Sequence, residues 1–295
     1  MTNKILIMKL KTFVRHNICG PILSMLPPKM HLSIWYRWAH GRWPNWNNPI
    51  DFAEKIMVKM FSPEWNRYSV YVDKIAVRDY VKSKGLDSIL PMLYCVHTDA
   101  KDIDFDKLPQ SFAIKTNNGC GGHIFCRDKA LLDKESVIKK INSILRKEYH
   151  VSVEAQYTNI PPMVYCEELL DDKTGVLPTD YKFQCIHGEP VYVFVGTERD
   201  NKVRYSTFDM NWNELDYIKP SYKPTRMPLR PKNLAMMVEI ARTLSSDFDT
   251  VRVDLYDLQD RILFGELTFS PGSGVMEFFT REGLDITGKM LNLNK

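Results

Sequence analysis

Two short segments near the C-terminus, joined by a polar link, constrain the fold of this chain most strongly. Their sequences are Val251-Arg-Val-Asp-Leu-Tyr256 and Phe264-Gly-Glu-Leu-Thr-Phe269, and each alternates apolar and polar residues as β-strands do. The link over residues 257–261 has the length and polarity of a hairpin turn. The pattern therefore predicts an antiparallel hairpin at this point.

This hairpin brings two carboxylates together. Alternation puts Arg252 and Asp254 on one face of the first strand, and it puts Glu266 and Thr268 on one face of the second. A turn centred on Asp260 sets Asp254 opposite Glu266, with Cβ atoms about 5 Å apart. Such carboxylates repel each other unless a cation lies between them, and hard oxygen ligands favour Mg²⁺ shared with a substrate phosphate. An exposed acidic pair on a surface hairpin is the alternative.

The composition is that of an ordinary globular protein. The 295 residues are 44% hydrophobic and 26% charged, and no apolar run reaches the roughly 20 residues of a transmembrane helix. Lys9 and Lys11 interrupt the apolar start of the chain, and no signal cleavage site follows, so a cytoplasmic protein is expected. The six cysteines form no CxxC pair, which indicates buried free thiols. Cys120 lies in a glycine-rich loop, and for this cysteine a nucleophilic role is the alternative interpretation, although no partner base can be identified.

The N-terminal segment is basic and rich in tryptophan. Residues 1–50 contain seven Lys or Arg and no Asp or Glu, although the formal charge of the whole chain is only +4. Four of the six tryptophans lie in the same segment. Residues 1–46 therefore have three open interpretations: contact with an anionic membrane surface at the inner face of the membrane, contact with a charged or lipid-linked glycan, or helices packed on the main domain by their aromatic rings. Nucleic acid is not expected, because the basic residues are sparse and no recognition motif accompanies them.

The remaining pattern predicts strands joined mainly by hairpins, with helices between them, which is an α+β fold. Helices are expected to begin at Asn48 as a cap with Pro49 in the first turn, and at Asp73 as a cap. Two further helices are predicted over 133–149 and 231–245, and strands are predicted over 112–116, 123–127, 163–166, 181–186 and 191–195.

A glycine-rich loop follows the strand at 112–116. Lys115 interrupts this apolar strand just before Asn117-Asn-Gly-Cys-Gly-Gly122. Glycines let backbone N–H groups approach phosphate oxygens, and a lysine at the base of the loop supplies a charge for them. The segment matches neither GxGxxG nor the Walker pattern. A simple hairpin tip with an unrelated lysine is equally compatible with it.

Taken in order, these motifs resemble the ATP-grasp superfamily, in particular its TupA-like, teichuronopeptide-biosynthesis branch. The resemblance runs from about residue 45 to the C-terminus and rests on Asp73-Lys-x-x-Val-Arg, Ile-Lys115-x-Asn-x-Gly-x-Gly-Gly, Asp180-Tyr-Lys-Phe, Val-Arg-Val-Asp254 and Phe-Gly-Glu266-Leu-Thr-Phe. It implies two α+β subdomains that clasp ATP between antiparallel sheets, with a helical, basic N-terminal extension. The implied parts are the extension (1–65), an N-terminal ATP-grasp subdomain (66–110), a glycine-loop lid (111–166) and a C-terminal metal- and ATP-binding subdomain (167–295).

The resemblance also implies contacts to ATP from several segments. Two lysines would bind the phosphates, a glycine loop would cover them, a hinge would bind the adenine and the sugar, and a further lysine would face the cleft. In that order the residues are Lys74 and Lys115; Gly119, Gly121 and Gly122; Glu167, Glu168 and Leu169; and Lys182.

The implied metal and second-substrate sites lie on the C-terminal hairpin. Asp254 and Glu266 would bind Mg²⁺, with Glu266 bridging two ions. Arg252 and Lys115 would be catalytic, with Arg252 stabilising the transferring phosphoryl group. Many ATP-grasp ligases carry Asn two residues after the bridging Glu, where this chain has Thr268. Because threonine is a weaker metal ligand, the number of bound ions, one or two, stays open. The site of the second substrate would be lined by Pro271, Gly272, Ser273 and Gly274.

The resemblance implies a function as an ATP-dependent carboxylate–amine ligase that forms an amide through an acyl-phosphate. Its substrates would be a small-molecule or glycan carboxylate, such as a uronic acid in bacterial capsule or cell-surface polysaccharide synthesis, and an amino acid or other amine. Two alternatives stay open: a kinase acting on a sugar hydroxyl, and a non-catalytic glycan-binding accessory protein. A kinase would need a base beside the metal site, and no further carboxylate stands out in residues 267–275.

Overall fold

The structure is a computed structural model that describes residues 25–117, 123–146, 153–170, 178–197, 203–258 and 260–293. Within these ranges the chain has the α+β architecture that the sequence predicted. No helix in them combines the length and the apolar character that a membrane span requires. Three of the four free cysteines among these residues are buried, and Cys19 and Cys120 lie outside the described ranges.

The regular elements are numbered along the chain. The helices are α1 (Pro28–His40), α2 (Phe52–Met60), α3 (Ser69–Val72), α4 (Val77–Ser83), α5 (Lys134–Leu145), α6 (Leu234–Ser245) and α7 (Arg281–Met290). The strands are β1 (Leu93–His97), β2 (Phe112–Thr116), β3 (Ile124–Cys126), β4 (Val164–Glu167), β5 (Asp180–Ile186), β6 (Glu189–Thr197), β7 (Arg204–Phe208), β8 (Glu214–Leu215), β9 (Thr250–Asp257) and β10 (Ile262–Thr268).

The strands form two antiparallel sheets. The four-stranded sheet has the order β1-β4-β2-β3, and the six-stranded sheet has the order β10-β9-β5-β6-β7-β8. Each of the predicted strands has a counterpart in one of these sheets, and the hairpin β5–β6 turns through His187 and Gly188, which both adopt positive φ. Between them, the sheets supply the two walls of the site described below.

A small core lies on the four-stranded sheet. The apolar face of α5 presents Val137, Ile141 and Leu145 to Phe112 and Ile114 on β2. The helix lies within the range predicted from the sequence, residues 133–149. The helix begins one residue after Asp133, whose side chain accepts a hydrogen bond from the backbone N–H of Ser136 (3.0 Å).

The larger core joins the N-terminal helices to the six-stranded sheet. Leu32, Tyr36, Phe52 and Ile56 are fully buried and belong to the same cluster as Phe183 on β5. For residues 32–60 the structure therefore favours the interpretation in which the aromatic-rich segment packs on the main domain. Residues 1–24 lie outside the described ranges, and the subdomain boundaries stay a prediction.

Helix α2 does not begin where the sequence predicted. Its cap is Asp51 rather than Asn48, because Asp51 Oδ1 accepts from the Glu54 backbone N–H (2.8 Å), and the Glu54 side chain accepts from the Asp51 backbone N–H. The buried Asp51 carboxylate also accepts from the Tyr36 hydroxyl (2.5 Å) and from Arg42 (2.8 Å). Asp51 thus serves these two donors and the helix N-terminus at once, which an exposed side chain at position 48 does not.

Replacing Asp51 with Ala is expected to lower the free energy of unfolding by about 3 kcal/mol, because it removes a cap, leaves the Tyr36 hydroxyl without its acceptor and leaves Arg42 with Glu54 as its remaining carboxylate partner. Urea denaturation followed by circular dichroism measures this loss. The control is Asn48→Ala, at an exposed position one turn earlier, for which a change within about 0.5 kcal/mol is expected. Equal losses in the two variants would contradict the observed cap.

Two other helix starts also differ from prediction. Asp73 does not cap α4 directly: its carboxylate accepts from the backbone N–H groups of Ile75 and Ala76, which forms a turn, and the helix begins at Val77. Helix α6 begins at Leu234 rather than Pro231. In both cases a local turn occupies the residues that the pattern assigned to the first helical turn.

Candidate active site

A cavity of about 400 Å³ lies between the two sheets. Side chains from both sheets, from the segment before α4 and from the first turn of α4 line it, and many of them are charged. They include Lys74, Arg78, Lys115, His123, Tyr165, Glu167, Glu168, Asp180, Asp254, Tyr256, Phe264 and Glu266. The cavity thus brings together residues from most of the segments that the sequence singled out.

The C-terminal hairpin forms one wall and contains the predicted pair, although its register is not uniform along the strands. Asp254 on β9 is the direct partner of Glu266 on β10. The turn closes through a hydrogen bond from the Leu258 backbone N–H to the Arg261 carbonyl (3.0 Å). The strand register shifts between Phe264 and Glu266, which accommodates one extra residue on β10. The carboxylate pair predicted from alternation is therefore present.

Cations surround the buried member of this pair. The Asp254 side chain is 1% exposed, and both its oxygens accept from Arg252, at 2.7 Å from Nε and 2.7 Å from Nη2. Lys182, whose strand β5 pairs with β9, donates to Asp254 and to Asp180. Burial acts to lower the pKa of Lys182, but the charges of Asp254 and Asp180 raise it above its usual value. Lys182 is therefore a cation at neutral pH.

Glu266 is the open member of the pair. Its side chain is 40% exposed, and its Oε1 accepts from Arg252 Nη2 (3.2 Å) and from the Thr268 hydroxyl (3.2 Å). Burial acts to raise its pKa, but the charges of Lys74, Lys182 and Arg252 lower the pKa of Glu266 to about 2. The carboxylate is therefore ionised throughout the physiological pH range.

The donor set suits Mg²⁺ held together with a phosphate. Among the residues that the structure describes, no group of three or more His, Cys, Asp or Glu side chains gathers as a metal site. Mg²⁺ commonly takes one or two protein carboxylates and completes its shell with water and substrate phosphates, so Asp254 and Glu266 fit. Both Asp254 oxygens are held by cations in this arrangement, and a metal ligand role for Asp254 requires that it exchange one of them. The role of Thr268 as a ligand stays a prediction.

The opposite wall carries Lys115 on β2. Its Nζ donates to Glu167 Oε1 (2.6 Å), and Glu167 is also 4.0 Å from Arg78. The neighbouring Glu168 donates its backbone N–H to the Met92 carbonyl (2.8 Å). Of the predicted hinge residues, Glu167 and Glu168 line the cavity, whereas Leu169 does not and Leu170 lines it instead. Glu167 holds the lysine that would bind phosphate. The contacts of the hinge residues to a nucleotide stay a prediction.

The base of the glycine loop is fixed by one buried asparagine. Asn117 is fully buried, donates from Nδ2 to Asp73 Oδ1 (3.1 Å) and accepts at Oδ1 from the Met163 backbone N–H (2.7 Å). Its own carbonyl accepts from the Lys74 backbone N–H (3.4 Å). The two predicted phosphate-binding lysines are thereby tied to one anchor. The predicted lid residues lie outside the described ranges: Gly119, Gly121 and Gly122.

The predicted second-substrate loop is a short 3₁₀ turn after β10. Gly272 and Ser273 have φ of 55° and 51°, in the left-handed region that side chains rarely adopt. Pro271 and Gly274 at its two ends are buried. Glu154, from a segment far away in the sequence, contacts this loop through Ser273. The loop thus continues from the strand that carries Glu266.

Several cavity residues were not assigned a role from sequence. Asp180 and Arg78 occur within the motifs that carried the resemblance, but nothing in a single sequence distinguishes them from their neighbours. His123 directly follows the glycine loop, which was the one available signal. Burial and the charges of Lys115 and Lys74 lower the pKa of His123 to about 4. It is therefore a neutral group beside the phosphate-binding lysines at neutral pH.

Two antiparallel sheets that face each other across a cation-rich cavity, with opposed carboxylates on one wall, define a protein of the ATP-grasp class. A comparison with protein families matches residues 54–292 to the family described as TupA-like ATPgrasp. The chain belongs to this family, as its sequence motifs predicted. No curated protein matches the sequence.

Solved structures of ATP-grasp ligases resemble the chain distantly. D-alanine–D-alanine ligase from Helicobacter pylori is 16% identical, with 76% of this chain and 62% of that chain covered and a TM-score of 0.41. The enzyme of the same name from Bacillus anthracis is 15% identical, with 74% and 63% covered and a TM-score of 0.43. The ATP-grasp ligase PsnB in complex with a minimal precursor is 12% identical, with 78% and 62% covered and a TM-score of 0.39. The chain thus spans less than two thirds of the length of these ligases.

Proposed function

We propose that this protein is an ATP-dependent carboxylate–amine ligase. The observation that carries the proposal is the bridge made by Arg252, which contacts both Asp254 and Glu266 on one wall of the cavity, while Lys115 stands on the other. Phosphoryl transfer requires neutralisation and positioning of charge more than covalent help from the protein. Family membership and this charge pattern together support the proposal.

Each charged residue has a distinct part in the proposed reaction. Lys74 and Lys115 bind the ATP phosphates, and Glu167 orients the Lys115 ammonium through their 2.6 Å contact. Mg²⁺, held by Asp254 and Glu266, supplies further charge neutralisation when bound. Because the Arg252 guanidinium lies between those carboxylates, it meets the transferring phosphoryl group and then the acyl-phosphate. An amine replaces the phosphate and the amide results.

The proposed substrates are a uronic-acid carboxyl group of a cell-surface polysaccharide precursor and an amino acid or other amine. Support comes from the TupA-like family and from the surface of α1, where Trp38 is 48% exposed and the nearby Trp43 is 61% exposed. Exposed aromatic rings close to Arg37 and Arg42 suit a glycan or lipid-linked acceptor, since such rings have one apolar and one polar side. A cytoplasmic location at the inner face of the membrane is part of the same proposal.

A screen of nucleotide-linked uronic acids against amines tests the proposal. ADP release that requires both an acid and an amine is expected, together with a product heavier than the acid by the amine minus water. Mass spectrometry would then identify both substrates. ATP cleavage without any dependence on an amine would contradict the ligase function.

A sugar kinase is the second candidate, because the structure places a carboxylate beside the second-substrate loop. Glu154 accepts from Ser273 Oγ (3.1 Å), so the base that a kinase needs is present although residues 267–275 themselves lack one. Including neutral sugars in the screen separates the two reactions. A kinase would release ADP with a neutral sugar alone and would yield a phosphorylated product.

A further inference from the structure

Glu154 is a carboxylate to which the ligase reaction outlined above assigns no role. Its Oε1 accepts from the Ser270 hydroxyl (2.5 Å), and its Oε2 accepts from the Ser273 hydroxyl (3.1 Å). Both oxygens are thus held by groups on the turn that follows β10. Because the two serines are remote from Glu154 in sequence, only the folded chain brings them together.

A second layer of hydrogen bonds fixes the orientation of this carboxylate. Gln156, which is fully buried, donates from Nε2 to Ser270 Oγ (2.8 Å) and accepts at Oε1 from Trp65 Nε1 (2.6 Å). The Ser270 hydroxyl accepts one hydrogen bond and must therefore donate its own hydrogen to Glu154. Such preorganised support is typical of functional groups that must keep one orientation.

The charge of Glu154 is not matched by a protein cation. Asp254 and Glu167 each pair with lysine or arginine, whereas no lysine or arginine in the described part of the chain forms an ion pair with Glu154. Burial raises the pKa of Glu154, hydrogen bonds from the two serines lower it, and the charge of Glu266 adds to the rise. A largely enclosed carboxylate of this kind suits an N–H donor from a ligand.

Glu154 lies beyond the end of β10, and Glu266 lies within that strand, so the two carboxylates mark opposite ends of a row of polar side chains. Glu266, Thr268 and Ser270 occur at alternate positions, while Leu267 and Phe269 between them are buried in the core. Strand β10 ends at Thr268 and Ser270 precedes the 3₁₀ turn, so four residues of chain separate it from Glu266 and the two lie no more than about 14 Å apart. Glu266 marks the phosphoryl end of this row, and Glu154 marks the other end. The two side chains, an acyl group and an attacking nitrogen would fill the interval.

We propose that Glu154 binds the amine substrate and accepts its proton as the amide forms, an inference that rests on the proposed ligase function. The neutral amine nitrogen attacks the carbonyl carbon of the acyl-phosphate and forms the C–N bond. The C–O bond to phosphate breaks, and phosphate leaves with its electron pair. The proton that the nitrogen loses passes to the Glu154 carboxylate. Ser270 and Ser273 keep that carboxylate aimed at the nitrogen.

The test compares two nucleophiles in Glu154→Gln. With MgATP and the uronic acid found active in the screen, one assay follows amide formation with the amine, and another follows hydroxamate formation with hydroxylamine. Hydroxylamine is neutral at neutral pH and attacks acyl-phosphates without a base. We expect amide formation to fall by about 10²-fold, the usual contribution of a general base, while hydroxamate formation stays within about 3-fold of the unaltered protein. Retained hydroxamate formation also shows that the variant is folded.

The matched control is Glu64→Gln, at a glutamate whose side chain is 72% exposed, for which both rates should be unchanged. Normal amide formation by Glu154→Gln would overturn the inference, and so would an equal loss of amide and hydroxamate. If the unaltered protein forms neither amide nor hydroxamate with any acid, the ligase function itself is wrong and the role of Glu154 is overturned with it. The unaltered protein alone therefore separates a failure of the ligase function from a failure of the role of Glu154.

Discussion

Glu266→Gln is expected to lower the rate of ATP cleavage by about 10²- to 10³-fold, the typical cost of losing one charge-stabilising group at a reacting centre. The expectation follows from position and charge. Glu266 faces the cavity, and Lys74, Lys182 and Arg252 keep its pKa near 2, so that a full negative charge is available at neutral pH. Glutamine retains the size of the side chain but removes this charge.

Magnesium titration makes this prediction specific. If Glu266 is a metal ligand, the Mg²⁺ concentration at half-maximal rate should rise by about 10-fold or more, since even a partner outside the first coordination shell typically contributes about 10- to 100-fold to metal affinity. The control is Asp260→Asn, which makes the same charge change at the exposed turn of the same hairpin. A reduced rate with an unaltered Mg²⁺ dependence would remove Glu266 from the metal site. An unaltered rate would remove it from the active site altogether.

The parts of the site that sequence could predict are those set by local pairing. The Asp254–Glu266 pair was predicted from alternation and one short turn within residues 251–269, and it forms with the help of a one-residue bulge at Gly265 that the sequence did not predict. Lys115 at the end of β2 follows from the strand and the loop next to it. Each depends on contacts between neighbours in the sequence, where the side-chain period of a strand fixes the geometry.

The contacts that sequence did not predict depend on how distant strands pair. Lys182 meets Asp254 because β5 pairs with β9, and Glu167 meets Lys115 because β4 pairs with β2. No periodicity in a single chain specifies which strands become neighbours. The helix cap failed for a related reason. Asn48 satisfies the local rule, but the buried donors of Tyr36 and Arg42 select the carboxylate of Asp51.

Arg252→Met is expected to lower the rate of the chemical step by about 10³-fold. Arg252 donates to Asp254 from two nitrogens and to Glu266 from one. In the described part of the chain, it is the side chain whose hydrogen bonds join these two carboxylates. Methionine keeps much of the apolar length of the side chain but supplies no charge. Because Asp254 then retains only Lys182 as a cationic partner, the free energy of unfolding should also fall, by about 2 kcal/mol.

The kinetic constants show which role Arg252 has. If it stabilises the transferring phosphoryl group, kcat falls and the KM for ATP changes little, because the lost interaction exists only in the transition state. A raised KM with unchanged kcat would instead make Arg252 a ground-state contact of ATP. If kcat and KM are retained while the free energy of unfolding falls, the role of Arg252 is limited to holding the Asp254 carboxylate in place. Arg242→Met, which removes only exposed ion pairs on α6, should leave all three quantities nearly unchanged.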